Sequence, residues 1–381
     1  AQAFWLKLPQ KTSDEHANPH TPMAEQEARP HELCQALSNS INTLAASACQ
    51  ADQVGADAGC CSCSESVHRD LQGILRCLQA VGEHGGLLVD EPRETILLLI
   101  SKDLPARLVA CLGSLNFEAR KDTMRLFGTV LHLGPLVGAD VKVIEHVQTH
   151  PRLLQLLLEG SGHPELFCPC AQMLRCCARC PDLVASLHRQ NAMSRLIDLA
   201  KHKTFDISTE AFSSLRELLL AHKTVSAAYL EDHFDEFFGL YNSLLQVEDY
   251  VVQRQALRLL GQVLLDPSFA QVMVAYVDNE QYLRINMNHL RDKSKIIQLD
   301  AFHIFKIFVA NPHKPHRVQL VLYRNKDRLA RLLKTLSVKT EIDESLAQDL
   351  AVVLGILGTM EAPASKRVTR AVESGSLVTV A

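Results

Sequence analysis

The residues best suited to chemistry are the thiols. The stretch CPCAQMLRCCARC carries five cysteines between Cys168 and Cys180, including a Cys177-x-x-Cys180 pair, and GCCSC adds three more at positions 60, 61 and 63. A structural zinc site needs four ligands that converge as a tetrahedron, usually from two spaced pairs. Cys170 and Cys177 instead occupy core positions of a helical repeat set out below, and Cys168, Cys176 and Cys180 point elsewhere around the same helix. They are therefore read as core or surface cysteines, and no metal site is assigned. His313-Lys-Pro-His316 has the spacing of a loop and no carboxylate or cysteine beside it. The chain contains no Gly-rich phosphate loop, no G-x-S-x-G, no HExxH and no D-x-D-x-D-G calcium loop. Catalysis has no visible seat, so the expectation is a protein that is not an enzyme and uses no cofactor.

The elements that carry these residues repeat. Five segments align, starting at Asn116, His163, Thr204, Asp249 and Ser294, with starts 47, 41, 45 and 45 residues apart. Their fourth position is Ala119, Leu166, Ile207, Val252 and Ile297, and their eighth is small: Thr123, Cys170, Ala211, Ala256 and Ala301. The twelfth is Phe127, Leu174, Leu215, Leu260 and Phe305, and the fifteenth is Val130, Cys177, Leu218, Val263 and Phe308. Steps of four, four and three make the apolar stripe of an α-helix, and a small residue in that stripe lets a neighbouring helix approach closely. Each segment adjoins a second apolar stretch such as RLLQLLLEG, MSRLIDLA, FGLYNSLL or YLRINMNHL. A helix pair or triplet repeated about every 40 to 47 residues has the armadillo or HEAT period. The fold class expected is all-α, an armadillo/HEAT-like helical-repeat solenoid. The charged run Arg291, Asp292, Lys293 and Lys295 is then the bend before IIQLDAFHIFKIFVA, which Asn311 and Pro312 stop. Solenoids present an extended surface rather than a deep pocket, which biases function toward binding macromolecules.

The 381 residues, 47% hydrophobic and 22% charged, suit a folded chain with a sizeable core. No run reaches the roughly 18 to 20 uncharged apolar residues of a membrane helix, and AQAFWLKLPQKTSDEH lacks a signal-peptide core. The expectation is a cytoplasmic protein with reduced thiols that binds no membrane. Residues 1–30 are expected to be a flexible arm, 31–345 a single repeat domain, 346–362 a capping helix and 363–381 a disordered tail. Within the domain, CQADQVGADAGCCSCSES is expected to be a loop between two amphipathic helices. The net charge is −4, but residues 281–335 hold twelve Lys or Arg against three Asp or Glu, while residues 204–250 hold two against nine. The basic region suits an acidic peptide or a chain's carboxyl terminus. It lacks the Gly-aromatic signatures of RNA binders, and nucleic acid is not expected as a partner.

The strings NFEARKD, STEAFSSLRELLLAHK, DYVVQRQALRLLGQVLLD and LRDKSKIIQLDAFHIFKIFVANPHK resemble the calcium-binding-protein-39 family of scaffolds, also called the mouse protein-25 family. The resemblance runs from about Pro30 to Leu336, strongest after Thr204. It implies a non-enzymatic scaffold that holds a kinase or pseudokinase in its active conformation. The partners implied are a Ser/Thr protein kinase of the STE or germinal-centre type, a pseudokinase adaptor, and a partner's C-terminal Trp-Glu-Phe-like peptide. Kinase-binding positions carry over to Phe205, Arg254 and Arg258, and the peptide pocket to Arg284, Met287, Arg324 and Arg328. Pro267 and Ala270 replace an arginine and a phenylalanine of the family pattern, with Phe269 one place early, which bears on partner choice. Calcium binding is not inferred despite the family's name. The alternative is a general armadillo-type adaptor for a cytoskeletal or transport partner.

Overall fold

The computed structural model describes residues 30–54, 58–79, 90–338 and 344–363, with side chains for all of these except 48–54, 58–61, 79, 337 and 338. Among the described residues there are nineteen α-helices and no strand. The first four are α1 (Pro30–Val54), α2 (Ala58–Gln79), α3 (Asp90–Ser101) and α4 (Leu104–Ala110). Then come three-helix units: α5 (Phe117–Leu136), α6 (Asp140–Thr149) and α7 (Pro151–Gly160); α8 (Phe167–Cys177), α9 (Pro181–Arg189) and α10 (Ala192–Ala200). The next two are α11 (Phe205–Leu220), α12 (Lys223–Asp232) and α13 (Phe234–Leu245); α14 (Tyr250–Leu264), α15 (Ala270–Val277) and α16 (Glu280–His289). The last unit is α17 (Lys295–Ala310), the long α18 (His316–Val338) and α19 (Glu344–Thr359).

Contacts sort these helices into three columns. The first runs α2, α5, α8, α11, α14, α17, α19, each helix packed on the next. The second runs α3, α6, α9, α12, α15, and the third runs α1, α4, α7, α10, α13, α16, α18. This is a helical-repeat solenoid whose unit is a triplet. The five aligned segments are the first-column helices α5, α8, α11, α14 and α17. Their eighth, twelfth and fifteenth positions are all buried, and Ala256, Ala301, Phe305 and Phe308 have essentially no accessible surface. The helix expected to cap the solenoid is α19, which takes the next place in the first column.

The first residue of the alignment caps three of these five helices, and Thr204 precedes α11 without a side-chain cap. Asn116 accepts the Ala119 amide, Asp249 those of Val251 and Val252, and Ser294 that of Ile297, so each is an N-cap that satisfies otherwise orphaned donors. Asp292 accepts the Ser294 amide at 2.7 Å, and Gln298 Nε2 donates to the Asp292 carbonyl at 2.6 Å. The bend before α17 is thereby held by hydrogen bonds at both ends. The unit at His163 departs from this pattern: α8 begins later, at Phe167, with Leu166 half-buried before it. Gly160, at the end of α7, lies so close to α8 that a Cβ there would stand 2.5 Å from Cys170 Sγ.

One expectation is corrected. The presumed loop from Cys49 to Ser66 is largely helical, since α1 extends to Val54 and α2 begins at Ala58. Its small residues allow helix as well as loop, and pairing of α1 with α2 supplies the packing that decides between them. The arm and tail expected at 1–30 and 363–381 lie outside the described residues except for Pro30 and Pro363.

Two substitutions test the packing scheme. Ala301→Leu, which forces a larger side chain between first-column helices, is expected to cost about 1–3 kcal/mol. Ser294→Ala, which removes only a cap, is expected to cost about 1 kcal/mol. Denaturant midpoints should fall in that order, and an Ala301→Leu protein as stable as wild type would refute the close approach.

Candidate functional site

Two surfaces gather the residues singled out by sequence. The first lies at the end of the molecule formed by α16 and α18. A cavity of about 420 Å³ opens there, lined by Arg284, Met287, Asn288 and Arg291 from α16 and its following turn, and by Val321, Asn325, Arg328, Leu329 and Leu332 from α18. The α18 residues are spaced four, three, one and three apart, which places them on one helical face. Three guanidinium groups, Arg284, Arg291 and Arg328, surround an apolar wall of Met287, Val321, Leu329 and Leu332. Among the described residues, no carboxylate lines the cavity. The wall can take an aromatic side chain, because an unbranched thioether adapts its shape, and the arginines can bind a carboxylate beside it.

A buried polar cluster sets the position of α16. Asn286 Nδ2 donates to the Tyr282 carbonyl at 2.8 Å and lies 3.4 Å from Tyr276 Oη, which donates to Asn242 Oδ1 at 3.1 Å. Tyr241 Oη donates to the Ala256 carbonyl at 2.8 Å. The rings of Phe238, Tyr276 and Tyr282 pack against one another around these bonds. Burial raises the Tyr241 and Tyr276 hydroxyls well above the ordinary range, so both stay protonated donors. With Asn286 held inside, Arg284, Met287 and Arg291 are left on the cavity side.

Of the expected pocket residues, Arg284, Met287 and Arg328 line the cavity and Arg324 does not. Arg324 is exposed one turn before Arg328, on the flank of the lining face. Arg291 takes a place that the sequence did not assign, because the turn after α16 folds it back beside the helix. Membership of a charged bend hid it, and only the three-dimensional course of that bend selects it.

The second surface follows the first column. Phe205 is the first residue of α11 and is 63% exposed. Phe117 and Tyr250, the first residues of α5 and α14, are exposed as well. Sequence reasoning picked out Phe205 alone, yet the aromatic at the second place of three aligned segments was a readable signal. Arg254 and Arg258 stand one turn apart on α14. Arg254 Nε lies 3.9 Å from Asp300 Oδ2 on α17, too far for a hydrogen bond, and both atoms are buried without a closer partner. Burial raises the Asp300 carboxyl above its usual range, while Arg254, Arg258 and His303 pull it back. Arg258 is exposed. Nearby, Pro267–Phe269 forms a 3₁₀ turn capped by Asp266, and Phe269 is fully buried. Phe269 therefore serves the core and is not a surface contact.

A family model described as Mo25-like matches residues 23–361. This chain belongs to the Mo25-like family. The human protein named "Calcium-binding protein 39-like" is 34% identical over 290 residues, 75% of this chain and 84% of the relative. The "Mo25-like protein" of Schizosaccharomyces pombe is 35% identical over 256 residues, covering 67% and 77%. The "Conidiophore development protein hymA" of Emericella nidulans is 34% identical over 284 residues, covering 67% and 74%. Among solved structures, a designed armadillo repeat protein covers 71% of this chain and 99% of its own at 14% identity, with a TM-score of 0.40. The fold assignment stands on the helix columns. As a Mo25-like protein, the chain is a scaffold-type protein with an armadillo-like helical repeat.

Among the described residues, no cysteine belongs to a group of side chains that could hold a metal ion. Cys170 and Cys177 are buried in the first column, Cys168 is exposed, and Cys176 and Cys180 are half-buried. Cys60 and Cys61 lie outside the described side chains. Burial pushes the Cys170 thiol up to about 12 and the Cys177 thiol well above its ordinary value. The thiolate is the reactive form. A maleimide at neutral pH is expected to label Cys168 in the folded protein and to reach Cys170 and Cys177 only after unfolding. Peptide mass spectrometry reads the pattern, and rapid labelling of Cys177 in the native state would contradict its burial.

Proposed function

We propose that this Mo25-like protein is a non-catalytic cytoplasmic scaffold that binds and activates a Ser/Thr protein kinase, alone or together with a pseudokinase. The observation that carries the reading is the cavity between α16 and α18. Three arginines around an adaptable apolar wall suit a C-terminal peptide that combines an acidic residue with Trp or Phe, such as a Trp-Glu-Phe-like tail. The first-column surface of Phe205, Arg254 and Arg258 would meet the folded kinase domain. The open Arg254–Asp300 pair supports this, since Arg254 can turn toward an outside acceptor without breaking a hydrogen bond. A scaffold activates a kinase only by binding its active conformation better than its inactive one.

Arg254→Ala with Arg258→Ala is expected to leave the circular dichroism spectrum unchanged and to abolish stimulation of the partner kinase. Arginine is a frequent interface hot spot, worth about 2 kcal/mol or more on truncation. Unchanged stimulation would remove this face from the mechanism.

A short acidic-aromatic peptide with a free carboxyl terminus is expected to bind with a Kd on the order of micromolar, about −8 kcal/mol. Met287→Ala should weaken it by removing part of the apolar wall. Arg328→Ala should weaken it and flatten its salt dependence, because exposed charge pairs are screened. Calorimetry at two salt concentrations decides, and equal binding by wild type and a variant carrying both Met287→Ala and Arg328→Ala rules the cavity out. Recovery of a cytoskeletal or transport partner in place of a kinase on purification from cells would favour a general adaptor.

A further inference from the structure

The N-terminal half contains a cluster of metal-ligating side chains away from both surfaces. Asp103 sits at the corner between α3 and α4, His146 near the end of α6, and His150 at the junction of α6 and α7. One ligand atom from each lies within 4.8 Å of the other two. Asp103 Oδ1 is 3.6 Å from His146 Nδ1 and 3.3 Å from His150 Nε2. Around zinc, with bonds of about 2.0 to 2.1 Å, tetrahedral ligands stand roughly 3.3 Å apart. The spacing already found between the carboxylate and the two rings is close to that edge length.

The other side of each ring bears on the same point. His150 Nδ1 lies 2.7 Å from the His146 carbonyl, an acceptor, so Nδ1–H donates there and Nε2 is the ring nitrogen that faces Asp103. A backbone carbonyl that fixes the tautomer in this way is the usual outer support of a metal-binding histidine. The His146 side chain is only 4% exposed, its Nε2 has no hydrogen-bond partner, and its Nδ1 lies 3.6 Å from the carboxylate oxygen.

We propose that Asp103, His146 and His150 form a site for a divalent first-row transition ion of the zinc type. Two imidazoles and one carboxylate suit zinc better than calcium or magnesium, which prefer all-oxygen ligands. Asp103 is 55% exposed, which leaves solvent access for a water as fourth ligand. The three residues come from the α2–α4 and α5–α7 units, so the ion would clamp one repeat to the next. The site includes none of the described cysteines and is separate from the cavity between α16 and α18.

The test titrates the chelator-treated full chain with Co²⁺ alone. The expected result is about one ion per chain, giving visible d–d bands without the near-ultraviolet band of thiolate-to-cobalt charge transfer, because no cysteine takes part. Asp103→Asn and His150→Gln should each weaken binding by at least about tenfold. Both keep the fold within reach: asparagine tolerates the left-handed backbone at position 103, where φ is 54°, and glutamine can still donate to the His146 carbonyl. Zn²⁺ should raise the thermal midpoint of wild type and leave that of the two variants unmoved, since an ion that binds only the folded state stabilises it. The proposal is overturned by a thiolate band at stoichiometric metal, by variants that bind as wild type does, or by the absence of binding in the micromolar range.

Discussion

The approach of one first-column helix to the next is the constraint on which the rest of the molecule depends. At the eighth place of each aligned segment stands Thr123, Cys170, Ala211, Ala256 or Ala301, all buried. A small side chain there lets the larger residues four and seven places later, such as Phe305 and Phe308 on α17, reach across and fill the space between columns. No repeat can bury this face alone, so stability comes from stacking, and the ends of the stack must be closed. The α17 helix shows the consequence most fully. It is covered by α14, α16, α18 and α19, and its sequence is accordingly rich in Ile and Phe around much of its circumference.

Polar groups are arranged by the same stacking. Some charged side chains bridge successive first-column helices, as Arg175 of α8 does to Glu210 of α11 at 2.5 Å and Lys306 of α17 does to Asp349 of α19. These pairs are partly solvated and contribute little energy individually, but they fix which faces remain free for other contacts. Arg254 and Asp300 occupy a comparable place with a longer gap, and Arg284, Arg291 and Arg328 face a cavity that no carboxylate among the described residues lines. Unfinished electrostatics of this kind mark places where an outside group can complete the arrangement. The Asp103, His146 and His150 corner, proposed above as a cation site, belongs to the same category on a smaller scale.

Much of the architecture was legible because a solenoid writes one local pattern many times. The four-four-three stripe from Asn116 onward identifies helices without any knowledge of what they touch, and five copies fix the period. The signal fades where the pattern does. Before Asn116 there is no aligned segment, and the run from Cys49 to Ser66 has small residues compatible with either helix or loop, so the pairing of α1 with α2 had to decide. Resemblance to known scaffolds brought Arg284, Met287 and Arg328 into view, but it offered Arg324, which lies off the cavity wall, and omitted Arg291, which lies on it.

The sequence by itself determined the helical class, the repeat period, the core positions and the concentration of basic residues after position 280. These are properties of residues near one another along the chain, where a 3.6-residue period carries the information. Tertiary structure decided everything that depends on separate turns meeting: the three columns, the cavity between α16 and α18, the open pair of Arg254 with Asp300, and the meeting of Asp103 with two histidines more than forty residues away. The distance and direction between such groups follow from how the helices stack, which no local spacing encodes.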